Sequence, residues 1–412
     1  MKAEIITIGD ELLIGQVIDT NSAWIGEQLS LAGIRVGYKS AVSDDEQEII
    51  RALDAASRRS DIIIITGGLG PTKDDITKKT LAEYFDMKLV MNESVLEDVR
   101  ALFERFGRPL TDLNKLQAMV PEGCRVIPNK NGTAPGMWFE RDNRVYISMP
   151  GVPFEMKSMM SDFVIPQLKA TFKLPFIYHR TILTHGIGES FLAEKIENWE
   201  NELAADGLKL AYLPSPGMVR LRISGAGMDA TAVKSLVAKH EEKLMPLISH
   251  YFFGYDQDTL ESVVGRLMTE KHKTLAIAES CTGGKISSMI TSVPGSSAYF
   301  TGSVIAYDNA VKIHTLQVSE QLIQEHGAVS EPVAMAMAEG VRKLFKTDIA
   351  VATTGIAGPD GGSPEKPVGA VWIAISVNGQ TSAKLYQFGD NRERNILRAS
   401  LTALSLIRKA LI

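Results

Sequence analysis

The sequence predicts the α/β fold class, with a three-layer α/β domain at each end of the chain and a small α+β module between them. Short apolar, β-branched runs alternate with helical periodicity near the amino terminus, and the same alternation returns in the last part of the chain. A hairpin pattern flanked by helices lies between them. A chain of 412 residues suits two or three domains, which we place at 1–172, 173–254 and 255–412.

The first domain alternates predicted strands and helices. Strands are indicated at "AEIITIG", "RVGYKSAV", "DIIIITGG" and "RVYISMPG", and helices at "SAWIGEQLSLAGI", "DEQEIIRALDAASRRS" and "PFEMKSMMSDFVIPQLKATF". We expect the first helix to turn Trp24, Leu29 and Leu31 inward. Because continuous β-branched runs are typical of buried parallel strands, the sheet should be mostly parallel.

The middle segment has the pattern of a small α+β module. Strands at "YHRTILTHG" and "HYFFG", helices at "GESFLAEKIENWE" and "DATAVKSLVAKHEEKLMPLIS", and a hairpin at "LKLAYLPSPGMVRLRISG" are predicted. "HGIG" (185–188) resembles the glycine loop of a KH fold but lacks its G-x-x-G spacing. We therefore expect a spacer or a homodimer contact here, and a clean monomer in light scattering would count against the dimer.

The last domain repeats the α/β pattern. Helices are predicted at "TLESVVGRLMTEKH", after "CTGG", at "EPVAMAMAEGVRKLF" and at "RERNILRASLTALSLIRKAL". Strands are predicted at "TLAIAES", "DIAVATTGIAGP", "VGAVWIAISV" and "TSAKLYQFG".

Composition excludes several classes of protein. The net charge is −5 without a long basic run, so a nucleic-acid binder is not expected. No apolar run approaches the roughly 18–20 residues that span a bilayer, and the N-terminal "MKAEIITIGDELL" lacks the apolar core of a signal peptide. Two cysteines, Cys124 and Cys281, suit a reducing compartment. We expect a cytoplasmic protein without a membrane partner.

The stretch "TGGLGPTKDDITKKT" follows a predicted central strand. Gly67, Gly68 and Gly70 allow backbone N–H groups to converge on an anion, and a following helix adds the positive end of its dipole. It is not a Walker A loop, because Lys73 lacks the required neighbours. The sequence predicts a phosphate site at the carboxyl edge of the sheet; the alternative is a tight strand-to-helix turn.

Carboxylates cluster at the same predicted edge. Asp10 and Glu11 follow the first strand, and Asp74 and Asp75 follow the glycines. Because these charges would repel phosphate, we expect a divalent metal, magnesium or a transition metal, to lie between them.

Ser280 and Cys281 stand at a predicted strand-to-helix turn. Such a turn exposes hydrolase nucleophiles, and the N–H groups of Thr282, Gly283 and Gly284 are expected to face an oxyanion. A cysteine nucleophile would need a thiolate, and free cysteine is commonly a buried hydrophobe.

A serine nucleophile needs a base. His272, His314 and His326 stand in no context that suggests a triad. Lys312 is the alternative, because a desolvated lysine can accept a proton from serine; a solvated surface lysine is the ordinary interpretation.

Three loops are predicted to meet Ser280 at one sheet edge. Residues 353–362 carry Thr354, residues 294–303 carry hydroxyls, and residues 387–395 carry Arg392 and Arg394 at a helix start. A guanidinium there can hold a phosphate, and we expect one of the two arginines to be merely exposed.

The motif series of the first 170 residues resembles the molybdopterin-binding-like domain of the CinA family (competence/damage-inducible protein A): "TGGLGPTKDD", "GRPLTDLNKLQAMVPEG", "NGTAPG" and "MPGVPFEM". The resemblance implies a MogA/MoaB-like fold and metal-dependent hydrolysis of ADP-ribose to AMP and ribose 5-phosphate. It implies phosphate contacts from Gly67, Gly68, Gly70 and Thr72, metal or water activation by Asp10, Asp74 and Asp75, and a pocket shaped by Asn114, Lys115, Asn131 and Pro150.

Residues 256–412 resemble the nicotinamide mononucleotide (NMN) deamidase domain of the same family through "AESCTGG", "GSSAYFTGSVIAYDNAVK", "HGAVSEPVA", "TTGIAGPDGGSPEKPVG" and "FGDNR". The resemblance implies that Ser280 is the nucleophile and Lys312 its base. It further implies that Tyr307, Thr354 and Arg392 complete the site without a cofactor, with substrate contacts from Thr282, Gly283, Gly284, Ser296, Ser297, Gly355, Ala357 and Gly358.

The resulting hypothesis is a bifunctional hydrolase of pyridine-nucleotide salvage, with NMN and ADP-ribose as substrates. Two alternatives stay open. One is a nucleotide- or pterin-binding regulatory protein without turnover, linked to competence or DNA damage. The other is a protein in which only the serine-based domain is active.

Overall fold

The computed structural model describes residues 1–72 and 75–412. The chain divides into two compact units, one formed by residues 1–178 and 225–235, the other by residues 179–224 and 236–412. Most of the middle segment is therefore compact with the C-terminal domain.

The N-terminal domain is built on a six-stranded mixed sheet, with a separate antiparallel pair. Its strands are β1 (Lys2–Ile8), β2 (Arg35–Val42), β3 (Ile62–Thr66), β4 (Leu89–Met91), β5 (Met119–Pro121), β6 (Arg125–Ile127), β7 (Gly136–Arg141) and β8 (Arg144–Met149). The order in the large sheet is β2-β1-β3-β8-β7-β6, and β4 pairs with β5. The four strands from β2 to β8 are parallel, whereas β7 and β6 are antiparallel to their neighbours.

Helices cover both faces of this sheet. They are α1 (Asp10–Leu13), α2 (Thr20–Leu31), α3 (Glu46–Ser57), α4 (Thr77–Tyr84), α5 (Glu93–Arg105), α6 (Asp112–Lys115), α7 (Pro153–Met159) and α8 (Ile165–Thr171), with a 3₁₀ turn at Leu116–Ala118 and a π-helical turn at Met160–Val164. In β3, Ile62 and Ile64 enter one core cluster and Ile63 and Ile65 another. Alternate residues of one strand thus feed two cores, as in a three-layer domain.

One predicted core position in α2 is wrong. Leu29 is fully buried and Trp24 packs against the core, but Leu31 is 44% exposed. Ile25, one turn before Leu29, is buried instead, because residues four apart share a helix face and residues two apart do not.

The middle module is a four-stranded sheet with two helices. Its elements are β9 (Phe176–His185), α9 (Glu189–Ala205), β10 (Lys209–Ser215), β11 (Met218–Gly227), α10 (Ala230–Ile248) and β12 (Phe252–Tyr255). The strand order is β10-β11-β9-β12. Leu183 and Phe253 belong to the same hydrophobic cluster as Leu260 and Leu404 of the C-terminal domain, so one core is shared by these two parts of the chain.

The C-terminal domain is a second three-layer domain around a five-stranded sheet. Its elements are α11 (Leu260–Glu270), β13 (Leu275–Glu279), α12 (Lys285–Thr291), a 3₁₀ turn at Ser296–Ala298, β14 (Phe300–Ile305), α13 (Asn309–His314), α14 (Glu320–His326), α15 (Glu331–Phe345), β15 (Ile349–Gly355), β16 (Ala370–Val377), β17 (Gln380–Gln387) and α16 (Arg392–Leu411). The order is β14-β13-β15-β16-β17. Helices α15 and α16 coincide with their predicted bounds.

The parallel part of this sheet places three strand ends together. Strands β14, β13 and β15 run parallel, so their carboxyl ends at Ile305, Glu279 and Gly355 lie at one edge. Polar loops that leave this edge form the candidate site. None of the helices within the described part of the chain has the length and apolar character needed to cross a bilayer.

Candidate active site

A cavity of about 240 Å³ opens at the carboxyl edge of the second sheet. Its lining includes all five residues predicted to be catalytic, namely Ser280, Tyr307, Lys312, Thr354 and Arg392. These side chains come from the ends of β13, β14 and β15, from the last turn of α13 and from the start of α16. The fold therefore brings together residues that lie more than 100 positions apart in the sequence.

The turn that carries Ser280 is closed by a buried carboxylate. Glu279 is fully buried, and its Oε2 accepts the N–H groups of Gly284 at 3.0 Å and Ile286 at 3.1 Å. Its Oε1 accepts the N–H of Ser287 at 2.9 Å and the Ser287 hydroxyl at 2.6 Å. The carboxylate thus occupies the amino-terminal end of α12, the place where we expected an external anion.

This arrangement corrects the predicted roles of the glycine pair. The Gly284 N–H is taken by Glu279 and the Gly283 N–H by the carbonyl of Ser280, at 3.1 Å. Thr282 is buried and its hydroxyl pairs with that of Thr353 at 2.8 Å, and none of the three predicted residues lines the cavity. Among the described residues, no oxygen accepts the backbone N–H of Cys281, which does line the cavity.

Ser280 is held by its backbone and free at its hydroxyl. Its N–H donates to the Thr353 carbonyl at 3.0 Å, which extends the sheet ladder by one residue. The Oγ atom has no hydrogen-bond partner within residues 1–72 and 75–412. The neighbouring Cys281 belongs to the core cluster, and burial raises the pKa of its thiol to about 12. Near neutral pH this thiol stays protonated, so serine is the better nucleophile.

Lys312 is buried without a counter-charge. Only 1% of it is exposed, and its Nζ donates to the carbonyls of Ala306 at 2.7 Å and Tyr307 at 3.2 Å. No carboxylate in the described part of the chain forms an ion pair with it. Burial lowers the pKa of Lys312, against a smaller opposing effect of Asp308. A neutral amine has two hydrogens and one lone pair, so two carbonyl acceptors leave the lone pair free to take a proton.

Arg392 is fixed at the rim of the cavity. As the first residue of α16 it donates from Nη1 to the Gly358 carbonyl at 2.8 Å and from Nη2 to the Tyr307 hydroxyl at 3.2 Å. Thr354 donates its hydroxyl to the Ala328 carbonyl at 2.8 Å, which leaves its oxygen able to accept. Arg394 does not line the cavity, so Arg392 is the arginine of the pair that belongs to the site.

The loop after β15 lines the cavity as predicted. It is held by Asn395, a residue that the sequence did not indicate. Gly355 and Ala357 line the cavity, and Gly358 acts through its carbonyl. Asn395 is buried and donates to the Ala357 carbonyl at 3.0 Å, which ties this loop to α16. Asn309 also lines the cavity. Its position directly after the "AYD" that follows β14 could have indicated this place.

The structure places Ser296 and Ser297 away from the cavity, contrary to their predicted substrate contacts. They form the 3₁₀ turn that precedes β14, and Phe300 at the start of that strand pairs with Leu275 at the start of β13. The turn therefore lies at the amino edge of the parallel strands, opposite Ser280, and neither serine lines the cavity.

A second cavity, of about 450 Å³, lies at the carboxyl edge of the first sheet. Its lining includes Gly67, Gly68, Gly70 and Pro150, as predicted. Five carboxylates line it, and no lysine, arginine or histidine does so among the described residues; the acids are Glu11, Asp19, Asp44, Asp75 and Glu155. Asp19, Asp44 and Glu155 were missed, although Asp19 opens the conspicuous "DTN".

The glycine turn after β3 requires glycine. Gly67 and Gly68 have φ values of 117° and 63°, and a Cβ would collide with the Ile8 carbonyl oxygen at the first position and the Thr77 hydroxyl at the second. The N–H groups of Gly68, Leu69 and Gly70 have no acceptor within the described residues. Three unsatisfied donors on consecutive residues form the anion nest that the sequence predicts.

Of the predicted metal residues, only Asp75 is placed in the cavity. Its Oδ2 accepts from both the N–H and the hydroxyl of Thr72, and Thr72 itself does not line the cavity. Asp10 is exposed, donates its N–H to Asp44 at 3.1 Å and does not line the cavity, whereas its neighbour Glu11 does. Asp74 lies outside the described residues.

Asn114 and Asn131 do not line the cavity. Asn114 and Lys115 are in the exposed helix α6, and Lys115 pairs with Asp112 at 2.8 Å. Asn131 donates its N–H to Asn129, whose side chain donates to the cavity residue Glu155 at 2.7 Å.

The oxygen-rich lining suits a hard divalent cation in its donor chemistry. Asn21, which also lines the cavity, has a buried Oδ1 without a partner. Within residues 1–72 and 75–412, however, no three acidic, histidine or cysteine side chains are grouped as a metal site. The metal therefore stays a prediction.

We expect Glu279→Gln to lower the free energy of unfolding by about 1–3 kcal/mol, because an amide presents one oxygen and places its NH₂ against N–H donors. The loss should appear in urea denaturation and as a lower Tm. Glu270→Gln, at the exposed end of α11, is the matched control and should change neither. Equal stability of Glu279→Gln and wild type would contradict the assigned role.

Comparisons with protein families match three consecutive parts of the chain. Residues 4–170 match the probable molybdopterin binding domain, residues 179–254 the damage-inducible protein CinA KH domain, and residues 257–411 the CinA C-terminal domain. The first domain is thus MoaB/MogA-like and the middle module KH-like, which confirms the predicted fold class.

Similar proteins span the whole chain. A CinA-like protein of Flavobacterium psychrophilum is 51% identical over 414 residues, covering 100% of this chain and 99% of that protein. A CinA-like protein of Cytophaga hutchinsonii is 49% identical, covering 99% and 98%. A crystal structure of competence/damage inducible protein CihA from Agrobacterium tumefaciens is 36% identical, with a TM-score of 0.36, over 37% of this chain and 96% of that one. With relatives this similar along its full length, the chain belongs to the CinA family.

Proposed function

We propose that the C-terminal domain hydrolyses the carboxamide of NMN to nicotinate mononucleotide and ammonia. The observation that carries the proposal is the pairing, in one cavity, of a serine with a free hydroxyl and a buried lysine without a counter-charge. That pairing is the requirement for a Ser–Lys hydrolase. The resemblance of the motifs to NMN deamidases supplies the substrate.

In the first half of the reaction, Ser280 Oγ attacks the carboxamide carbon while its proton passes to the neutral amine of Lys312. The backbone N–H of Cys281 stabilises the oxyanion, since it follows the nucleophile directly and has no acceptor within the described residues. Collapse of the tetrahedral intermediate breaks the C–N bond. The proton on Lys312 goes to the leaving nitrogen, which departs as ammonia and leaves an ester on Ser280.

In the second half, water attacks the ester and gives its proton to Lys312. The C–O bond to serine breaks, Ser280 recovers its proton from Lys312, and the pyridine carboxylic acid is released. The sum is one amide and one water converted to one acid and one ammonia. Both proton transfers use the same amine, so the step as proposed draws on no metal.

The charge of the cavity fits a substrate that carries a phosphate. Arg392 supplies a positive charge at the rim, and no acidic side chain lines the cavity within the described chain. The Arg392 guanidinium is already oriented by Gly358 and Tyr307, so little rotamer entropy is lost when it binds an anion.

We propose a metal-dependent ADP-ribose pyrophosphatase activity for the N-terminal domain. The unsatisfied N–H groups of Gly68, Leu69 and Gly70 support binding of a phosphate, and the five lining carboxylates support a cation beside it. Asp75, the predicted metal residue that lines the cavity within the described chain, would hold that cation. The metal would neutralise phosphate charge that the carboxylates otherwise repel.

We expect Ser280→Ala to abolish ammonia release from NMN, with EDTA present, because the attacking oxygen is removed. Cys281→Ala should retain activity, because its thiol is protonated and acts only in packing. Ammonia and nicotinate mononucleotide are measured for both variants after far-UV circular dichroism shows them folded. Absence of turnover in wild type would favour a regulatory nucleotide- or pterin-binding protein instead.

The pH dependence of kcat/KM for NMN should follow Lys312. The neutral amine is the active form, so activity falls as the pH drops through the pKa of Lys312. Because burial lowers that pKa, activity should persist at pH values where an ordinary lysine is fully charged. Lys312→Arg keeps the charge but cannot deprotonate, and should lose at least about 10²-fold. Lys271→Arg, on the surface, is the control. An unchanged profile in Lys312→Arg would assign the base elsewhere.

The two activities should separate on metal removal. We expect EDTA and Asp75→Asn each to abolish AMP release from ADP-ribose, because phosphate repulsion by the lining acids is no longer offset. Ammonia release from NMN should be unchanged in both cases. AMP production that survives EDTA would contradict the metal, and its absence even after Mg²⁺ or Mn²⁺ is supplied would contradict the pyrophosphatase.

A further inference from the structure

A third cavity, of about 440 Å³, lies within the second compact unit, between the start of the KH-like module and the strand β17 and helix α16 of the C-terminal domain. One wall carries His185, at the end of β9, and the loop that follows it. That wall is fixed by backbone hydrogen bonds from His185 to Tyr251 at 2.9 Å and from Gly186 to Gly217 at 3.2 Å. Neither proposed activity uses this cavity.

The lining is cationic and uncompensated. Lys384, Arg398 and Lys409 line the cavity, and in the described chain no acidic side chain does so or pairs with any of them. Arg398 donates from Nη1 to the Phe388 carbonyl at 3.1 Å, but its Nε is buried without a partner. Like charges held together at a partly desolvated site repel one another, so an anion bound there would relieve the repulsion.

A fourth cation without a described partner lies next to the cavity residue Lys409. Arg408, next to Lys409, is only 7% exposed, yet has no hydrogen bond or ion pair within residues 1–72 and 75–412. Burial and the charges of Lys409 and Arg408 lower the pKa of His185 to about 4, so this ring is neutral near pH 7. Three cations therefore line the cavity, and the charge of a fourth, Arg408, also acts on His185.

The cavity also offers aromatic surface. The rings of Tyr386 and Phe388 lie 5.8 Å apart with an interplanar angle of 5°, and Tyr251 lines the cavity with them. Parallel rings of this kind form a platform for a planar base. The Nζ of Lys384 lies over the Tyr386 ring, 5.5 Å from its centre, so a positive charge lies close to this aromatic surface.

We propose that this cavity binds a phosphorylated ligand with a planar ring, of the nucleoside monophosphate class. The phosphate lies against Lys384, Arg398 and Lys409, and the ring lies on Tyr386 and Phe388. A small ligand is favoured over a nucleic acid because the volume is that of a small-molecule pocket. The chain also has a net charge of −5 without a basic run.

The test is isothermal titration of the full chain with AMP, with adenosine and inorganic phosphate titrated separately. Lys384→Gln and Lys409→Gln should each weaken one binding event about tenfold, the loss expected for one charge-assisted hydrogen bond. Both lysines are exposed, so the variants should fold as wild type does. Lys271→Gln, an exposed lysine outside all three cavities, is the matched control and should leave every Kd unchanged.

Adenosine and phosphate alone should each bind at least tenfold more weakly than AMP at this site. Unchanged AMP binding in both lysine variants would overturn the proposal. Loss of the same binding event in Arg392→Ala, with none in Lys384→Gln, would place AMP in the Ser280 cavity and overturn it too. A single-stranded oligonucleotide that binds more tightly than AMP and loses affinity in Lys384→Gln would replace it by a nucleic-acid surface. None of these outcomes depends on turnover of NMN or ADP-ribose.

Discussion

The carboxylate of Glu279 holds the turn on which the C-terminal site depends. It is buried and has no cationic partner among the described residues, and instead it accepts four hydrogen bonds from Gly284, Ile286 and Ser287. The amino-terminal end of α12 supplies further positive potential. Ser280 is thereby fixed from two sides, by the sheet through Thr353 and by the turn that Glu279 closes. A nucleophile set on rigid elements loses little entropy when it attacks.

The second constraint is the burial of Lys312. Placing an unpaired ammonium in the interior costs free energy, and the cost falls if the amine is neutral. The carbonyls of Ala306 and Tyr307 accept two hydrogens and so support the neutral amine with its lone pair free. A buried lysine that lacks a counter-charge is unfavourable for stability alone. It lines the same cavity as Ser280, whose hydroxyl has no partner within the described residues, and this combination is the basis of the proposed chemistry.

Local patterns predicted the elements well and their surroundings less well. The helices α15 and α16 begin and end where the 3.6-residue period indicates, and Gly67 and Gly68 directly follow a central strand, as predicted. Ser296 was misplaced because the loops at the two ends of a strand look alike until the neighbouring strands are known to be parallel. Glu279 was missed because no sequence window shows which N–H groups a carboxylate will reach. The core shared by the KH-like module and the C-terminal domain was missed for the same reason. It depends on contacts between residues far apart in the sequence, such as those of Leu183 with the C-terminal domain.

The two proposed sites solve the binding of an anion in opposite ways. In the proposed N-terminal site, the N–H groups after β3 would attract a phosphate while the five lining carboxylates among the described residues would repel it, so the proposal requires an added cation. In the C-terminal cavity the N–H groups of Gly284, Ile286 and Ser287 are already bound to Glu279, and the positive charge at the rim comes from Arg392. Gly283 and Gly284 therefore serve to position the nucleophile Ser280. After β3, in contrast, the N–H groups of Gly68, Leu69 and Gly70 have no acceptor within the described residues. Similar strand–glycine–helix patterns thus lead to different chemistry. The difference comes from one acidic residue, Glu279, which is the last residue of β13 and is fully buried.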